Sequence, residues 1–291
     1  MNQPSLPRVA AVATPDEYVL PARPAGVGPT VLDAFRQTQF VLGGDLDLFA
    51  EAMNLQLRLV RESRPPQYRT HALAALAAFW SRAYTQLSDA MLLVMRASYA
   101  STLPLVRSSC ELIAAQIGLL GGEMEEHEAW LTEALKPDER FKAVEVGLGR
   151  YYAGGAIARD DVLGGVFRPA TEFTRPNFGP SLLETGPESN QRLITIAFDD
   201  GAFHLGWAEI VLGWLLALSA RQLRVAVESP ERFVIAADAR AQYEALQKRV
   251  DAALSRDDRC RVEEVRDAND RRYLIHNFRR GSGTAPKRFL L

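Results

Sequence analysis

The stretch from Leu205 to Ala220 is apolar almost without interruption and carries a single acid, Glu209. A helix built from it has no polar side to turn towards water, so every face must be covered. It is too short to span a bilayer comfortably, which takes about 20 residues. Other helices must therefore bury it. One lies between about Tyr68 and Ala97, where Leu73, Leu76, Phe79, Trp80, Tyr84, Leu87, Met91 and Val94 wrap most of the cylinder. A helix apolar on most sides is central rather than peripheral.

Further helices follow from periodicity and from stop signals. Thr30 can cap a short one through Phe40, ended by Gly43 and Gly44. Asp45 then caps Leu46 to Glu62, with Leu46, Leu48, Phe49, Met53, Leu57 and Val60 at helical spacing. Others are predicted from Leu103 to Leu120, Glu125 to Leu135, Pro137 to Leu148, His204 to Val227 and Pro230 to about Ser255. Glycines and prolines crowd residues 150–190, which read as a long irregular loop. Arg192 to Phe198 reads as one strand. Cys260 to Arg266 and Arg271 to Phe278 read as a hairpin about Asp267-Ala268-Asn269-Asp270. The predicted architecture is mainly α: a bundle of six to eight helices, a long irregular loop and a minor β element near the C-terminus. Residues 1–28, with prolines at 4, 7, 15, 21 and 24, form an extended arm. Residues 29–291 form a single helical domain with a basic C-terminal tail.

Composition sets the outer limits. A chain of 291 residues buries a sizeable core without disulfides or metal. Cys110 and Cys260 stand far apart and belong to no C-x-x-C pair, which points to a reducing compartment. No positive-then-apolar leader opens the sequence, and the expected location is cytoplasmic, with no membrane partner. The net charge is only −2, yet residues 271–291 hold six basic residues and no acidic one. That tail is either a solvated terminus or a surface for an acidic protein or for RNA. The apolar surface of Trp207, Ile210, Val211, Trp214, Leu215 and Leu218 exceeds what one neighbour covers, so a homo-oligomer is expected.

Few residues carry chemistry. No phosphate-binding glycine loop, no nucleophile elbow and no His or Cys cluster with metal spacing is present, so neither cofactor nor metal is expected. Arg107 and Glu111 lie four apart on the helix of L-V-R-S-S-C-E and share a face. In the irregular segment, A-T-E-F-T-R-P-N-F packs Thr171, Glu172, Arg175 and Asn177 between turn residues. Such a segment could present Arg175 to an anion, or be a structural loop packed by Phe167, Phe173 and Phe178. His71 and His127 read as surface, and His204 as a cap-region residue. His276 stands five places after Arg271, within a predicted strand.

The arginine–glutamate helix, followed about 60 residues later by this loop, then a strand and a long apolar helix, resembles a family of uncharacterised bacterial helical proteins. That family carries an Arg-x-x-x-Glu helix and a Ser-Glu-x-x-His-Pro-Asn loop, with a suspected distant kinship to HEPN domains, some of which cleave RNA. The resemblance covers roughly Ala90 to Leu223. It matches Arg107 and Glu111 to the helix pair, Thr171 to the serine, and Glu172, Pro176 and Asn177 directly. Arg175 replaces the family's histidine, and an arginine cannot serve as a base near neutral pH. HEPN nucleases pair an arginine with a histidine several residues on, a spacing that Arg271 and His276 share.

Arg107, Glu111, Glu172, Arg175 and Asn177 are thus the candidate ligand-binding cluster, with no catalytic residue assigned. The resemblance implies a non-catalytic protein acting by protein–protein contact in a bacterial defence, toxin–antitoxin or regulatory setting. A HEPN-like RNase and a nucleotide or anion binder, with Arg107 and Arg175 as its clamp, are the alternatives.

Overall fold

The computed structural model describes residues 14–63, 71–123, 136–138, 140, 143–145, 154–186, 189–195, 201–230, 233–267 and 270–291. The helices are α1 (Pro29–Glu62), α2 (His71–Met95), α3 (Tyr99–Gly118), α4 (Gly154–Arg159), α5 (Asp161–Thr174), α6 (Phe178–Thr185), α7 (Leu205–Val227) and α8 (Ala237–Leu254). Two short strands, β1 (Lys136–Asp138) and β2 (Ala143–Glu145), pair antiparallel. A three-stranded antiparallel sheet ends the chain, in the order β3 (Arg261–Asp267), β4 (Asp270–Phe278), β5 (Lys287–Leu290). The protein is mainly α with a minor β element near its C-terminus.

The architecture is organised about α7, which packs on α1, α2, α3, α5, α8 and the C-terminal sheet. All its residues except Ala217, Arg221 and Arg224 are buried. The helix is long and apolar enough to cross a membrane, as is the stretch Tyr99–Gly121, but 83% and 61% of their apolar windows lie inside the fold. The chain's own helices thus cover the apolar surface of α7 that suggested an oligomer.

Several polar groups sealed in with α7 are paired across helices, though Gln222 Oε1 is not, and leaving one unmatched in the interior costs about 1–3 kcal/mol. The Trp80 indole donates to Gln56 Oε1 (3.1 Å), Gln56 reaches Ser219 O, and Gln222 donates to Trp80 O (3.2 Å), joining α1, α2 and α7. At one end of α7, His204 is the N-cap and its Nδ1 accepts from Trp207 N (3.3 Å). Burial, reinforced by the Arg280 charge, pulls the His204 pKa down to about 3, so the ring is neutral and free to accept. The next two amides, of Leu205 and Gly206, donate to Arg280 O and Arg279 O. Gly206 permits this docking, since a Cβ there would stand 2.9 Å from the Phe278 ring.

Asp45 ends up far from its predicted capping role. Helix α1 runs through Gly43 and Gly44 without stopping, kinked at Leu42 (φ −118°, ψ 21°). Asp45 sits mid-helix and buried, ion-paired with Arg259 at 2.5 Å. Arg259 also donates to Glu209 O (2.9 Å), and the Glu209 carboxylate accepts from Cys260 N (2.9 Å). Arg256 and Arg279 approach the same carboxylate at 3.4 and 3.9 Å. This cluster ties α1, α7 and the entry to β3 together. Gly213 makes room for it, because a Cβ there would come within 3.1 Å of the Arg259 guanidinium.

Several expectations are overturned. Residues 154–186 are mostly helical rather than one long loop. One glycine read there as a breaker serves packing: a Cβ on Gly164 would meet Ile157 O at 3.1 Å and the Arg168 guanidinium at 3.3 Å. Asp160 caps α5 through Leu163 N (2.9 Å) and holds Arg221 of α7 at 2.6 Å, so tertiary contact sustains a helix that contains Pro169. The helix predicted from Pro137 to Leu148 is instead the β1–β2 pair where it is described, while Glu125 to Leu135 and His127 lie outside the described residues. Residues 192–195 are exposed coil, with Asn190 Oδ1 accepting from Arg192 N and Leu193 N, and the rest of that predicted strand lies outside the described residues. Helix α8 begins at Ala237, not Pro230. The basic tail is not a tail, because strands β4 and β5 run through it. In the N-terminal arm, residues 14–28 carry no helix, yet Tyr18 is buried against Phe49 and Tyr84, and Asn54 holds its backbone at both N–H and C=O.

Candidate functional site

The predicted cluster divides into two groups. Arg107 and Glu111 face each other along α3 at 3.5 Å, with 42% and 48% of their side chains exposed. Glu172, Arg175 and Asn177 come together at the junction of α5 and α6. The Arg175 guanidinium donates to Glu172 Oε1 (2.9 Å), and Asn177 Nδ2 donates to Glu172 O (2.9 Å) and Oε2 (3.0 Å). This is a helix-end clasp, with Arg175 the C-cap of α5 and Asn177 the N-cap residue of α6. The Thr171 hydroxyl, at the position matched to the family's serine, donates to Phe167 O within its own helix. Among the described residues no hydrogen bond or ion pair joins the two groups. Phe167 touches both: Arg107 lies 5.6 Å above its ring, and Phe167 in turn lines the cleft beside the clasp.

That cleft, of about 790 Å³, opens between α5, the start of α6 and the C-terminal sheet. Glu172 and Asn177 stand in its wall with Thr171, and Phe167, Pro180, Leu290 and Leu291 supply apolar surface. Phe173 anchors the α5 side: it is buried and meets the rings of Trp207, Trp214 and Tyr273 at 5.7, 6.0 and 6.4 Å. Two cations complete the lining. Arg168 Nη1 and Arg271 Nε approach opposite oxygens of Glu264, at 3.3 and 3.1 Å. Each guanidinium offers five N–H donors in a fixed plane, so one contact to Glu264 orients it and leaves most of its donors for something else. A charge near neutrality on the clasp and a net positive charge on the Arg168–Glu264–Arg271 group make the cleft a place for an anionic group beside an apolar one.

Strand geometry decides the fate of the Arg271–His276 spacing. Alternate residues of a strand point to opposite faces. Glu264 and Tyr273 are directly paired, as are Glu263 and Leu274. Arg271 therefore shares the cleft face with Tyr273 and Glu264, while His276 shares the other face with Leu274 and pairs with Glu263 at 2.8 Å. Five residues separate the two in sequence and the sheet separates them in space. Of the remaining histidines, His204 is a buried cap, and His71 begins α2. Both cysteines are buried and free, and burial pushes each thiol well above its ordinary range. Among the described residues, no group of three or more His, Cys, Asp or Glu is placed to hold a metal ion.

Sequence reasoning found Glu172, Arg175 and Asn177 but missed Arg168, Glu264 and Tyr273. The signal for the last two was present: once the hairpin is drawn, alternation puts Glu264, Arg271 and Tyr273 on one face. Arg168 had no such signal, since its helix was read as loop. Compared with known proteins, the chain matches no family model, no curated protein and no solved structure.

Proposed function

We propose that this chain is a non-catalytic binding protein that works by contact with another protein, and that the contact is made at the cleft between α5, α6 and the C-terminal sheet. The observation that carries this reading is the Arg168–Glu264–Arg271 arrangement: two guanidinium groups preset on one carboxylate, beneath an open cleft with apolar walls. Such an arrangement recognises and orients. Among the described residues, the cleft's lining holds no histidine, cysteine, serine or lysine, the side chains most often used for acid–base or nucleophilic catalysis. Arginine in place of the family's histidine, and the separation of Arg271 from His276, both weigh against the RNase alternative. The bacterial setting in defence, toxin–antitoxin or regulatory work, and the cytoplasmic location, rest on the resemblance and on cysteine usage.

The test pairs two assays on the full chain. Single-stranded RNA incubated with the protein should remain intact, and an affinity pull-down from a bacterial lysate should retain a partner that Arg168→Glu and Arg271→Glu release. RNA cleavage abolished by His276→Ala, or a partner retained equally by both charge reversals, would overturn the proposal.

A further inference from the structure

The sheet has two edges, and β5 is one of them. Its pairing with β4 determines which backbone groups are in use. Tyr273 and Leu291 exchange both hydrogen bonds, N–H to O at 3.0 Å and 2.9 Å. In an antiparallel ladder such a pair alternates with one whose N–H and C=O groups point away from the partner strand. The neighbouring pair is Leu274 with Leu290, so the backbone donor and acceptor of Leu290 point away from β4, to the open side of the sheet. Leu290 is 54% exposed, and Arg288 is exposed too. An edge strand with outward N–H and C=O groups is a template for one more strand.

Charge and apolar surface say what that strand would be made of. Arg272, Lys287 and Arg288 make no ion pair among the described residues; Arg272 and Arg288 lie on the outer face, on either side of the Leu274–Leu290 pair, while Lys287, opposite Phe278, faces the other way. A second copy of β5 would bring two further cations to the same edge, which disfavours self-pairing. A single-stranded nucleic acid would need aromatic rings on which to stack its bases. The face that carries Arg272 also carries Leu274, His276 and Leu290 rather than Phe, Tyr or Trp. An acidic, extended polypeptide satisfies all three features. At the end of β5, Leu291, opposite Tyr273, already lines the cleft, whose wall also includes Asn177 and Gly179 on either side of Phe178, which is 94% exposed.

We propose that the free edge of β5 is a docking site for an acidic peptide segment, which adds to the sheet as a fourth strand and turns alternate side chains into the mouth of the cleft. Acidic side chains would meet Arg272 and Arg288 on the outer face. Those on the inner face would approach Arg271 and Arg168, with apolar ones resting on Leu291 and Phe167. This rests on the reading of the cleft as a protein-binding site.

The probe is a fluorescein-labelled hexapeptide alternating leucine and glutamate, titrated into the full chain by fluorescence anisotropy. It should bind, and its counterpart with lysine for glutamate should not. N-methylation of alternate amides, tried in both phases, should weaken binding at least ten-fold in one phase, because a methylated amide cannot donate to β5. Leu290→Pro should do the same while the helical circular dichroism stays unchanged, since proline is tolerated at an edge where its missing N–H faces outward. Arg288→Glu gives a second variant whose fold is not at issue, and it should also weaken binding at least ten-fold. If the N-methylated peptides and Leu290→Pro bind like the originals while Arg168→Glu abolishes binding, strand addition is wrong and the cleft reading stands. If the peptide does not bind, or if single-stranded RNA binds in its place, the proposal is overturned. If all variants bind alike, the cleft reading falls with it.

Discussion

Asp45, Arg259 and Glu209 meet between α1, α7 and the entry to β3 with 5%, 2% and 3% of their side chains exposed. Arg107 and Glu111 face each other on α3 with nearly half of each side chain in solvent. Both groups set arginine against carboxylate, and the residue types alone do not tell them apart. The exposed pair is made by one turn of helix, four residues apart, and forms wherever that helix forms. The buried one joins residues 214 apart in sequence and exists only because three elements converge. Its charges have lost their water, so each must be matched by the others. Burial raises the Glu209 carboxyl above its usual range even with the Cys260 amide and three arginines around it. Local pairs of this kind decorate a surface, whereas distant pairs in the interior hold elements in register.

The sharpest way to break that contrast is to remove one member of the interior group. Arg259→Ala leaves Asp45 and the Glu209 carbonyl unmatched, and should cost about 3–5 kcal/mol in urea unfolding. A loss below about 1 kcal/mol would show that water reaches the cluster and that the two regions are alike.

Acid titration probes the same interior from the other end of α7. Folding depresses the His204 pKa from 6.5 to about 3. Between those values the unfolded chain takes up a proton that the folded chain refuses, so stability rises with pH across that window and is lost as pH falls. The slope contributed by this one group is about 1.4 kcal/mol per pH unit. Glu209, with its raised pKa, acts in the opposite sense, so the comparison of wild type with His204→Asn is the measurement. Asparagine caps a helix without titrating. Its curve should be flatter between pH 6 and pH 4, and parallel curves would place His204 in contact with solvent.

Gly213→Ala asks how tightly Arg259 is seated. The new methyl would lie within 3.1 Å of the guanidinium. Overpacking of that kind costs about 1–3 kcal/mol, read as a lower melting temperature. A neutral result would mean that Arg259 can shift without losing Asp45. The smallest effect is expected on the exposed side. Glu111→Ala should change stability by less than about 0.5 kcal/mol and leave the Glu172 clasp protected from proteolysis. A loss of several kcal/mol there would mean that the α3 pair is a lock of the same kind as Arg259.

The candidate site was legible in parts, for the same reason. Glu172, Arg175 and Asn177 were found because they lie within six positions of one another, and local spacing is what a sequence displays. Arg107 and Glu111 were found by spacing too, but spacing does not measure burial. The α5 helix was hidden because Gly164, Gly165 and Pro169 are poor helix formers in isolation. Packing on α3, α4 and α7 and the Asp160 cap override that preference. Arg168 was hidden with it.

What the sequence determined by itself is whatever depends on near neighbours: the helical periods of α1, α2, α3 and α7, the β3–β4 hairpin, and the demand that a helix apolar on every side be enclosed. Tertiary structure alone decided that α7 is enclosed by its own chain, that Asp45 leaves a capping role to meet Arg259, and that Arg271 and His276 stand on opposite faces of a sheet. The physical reason is range. Helix and strand periods are written in steps of two to four residues, while burial and ion pairing depend on which distant surfaces exclude water from each other, and no local window contains both.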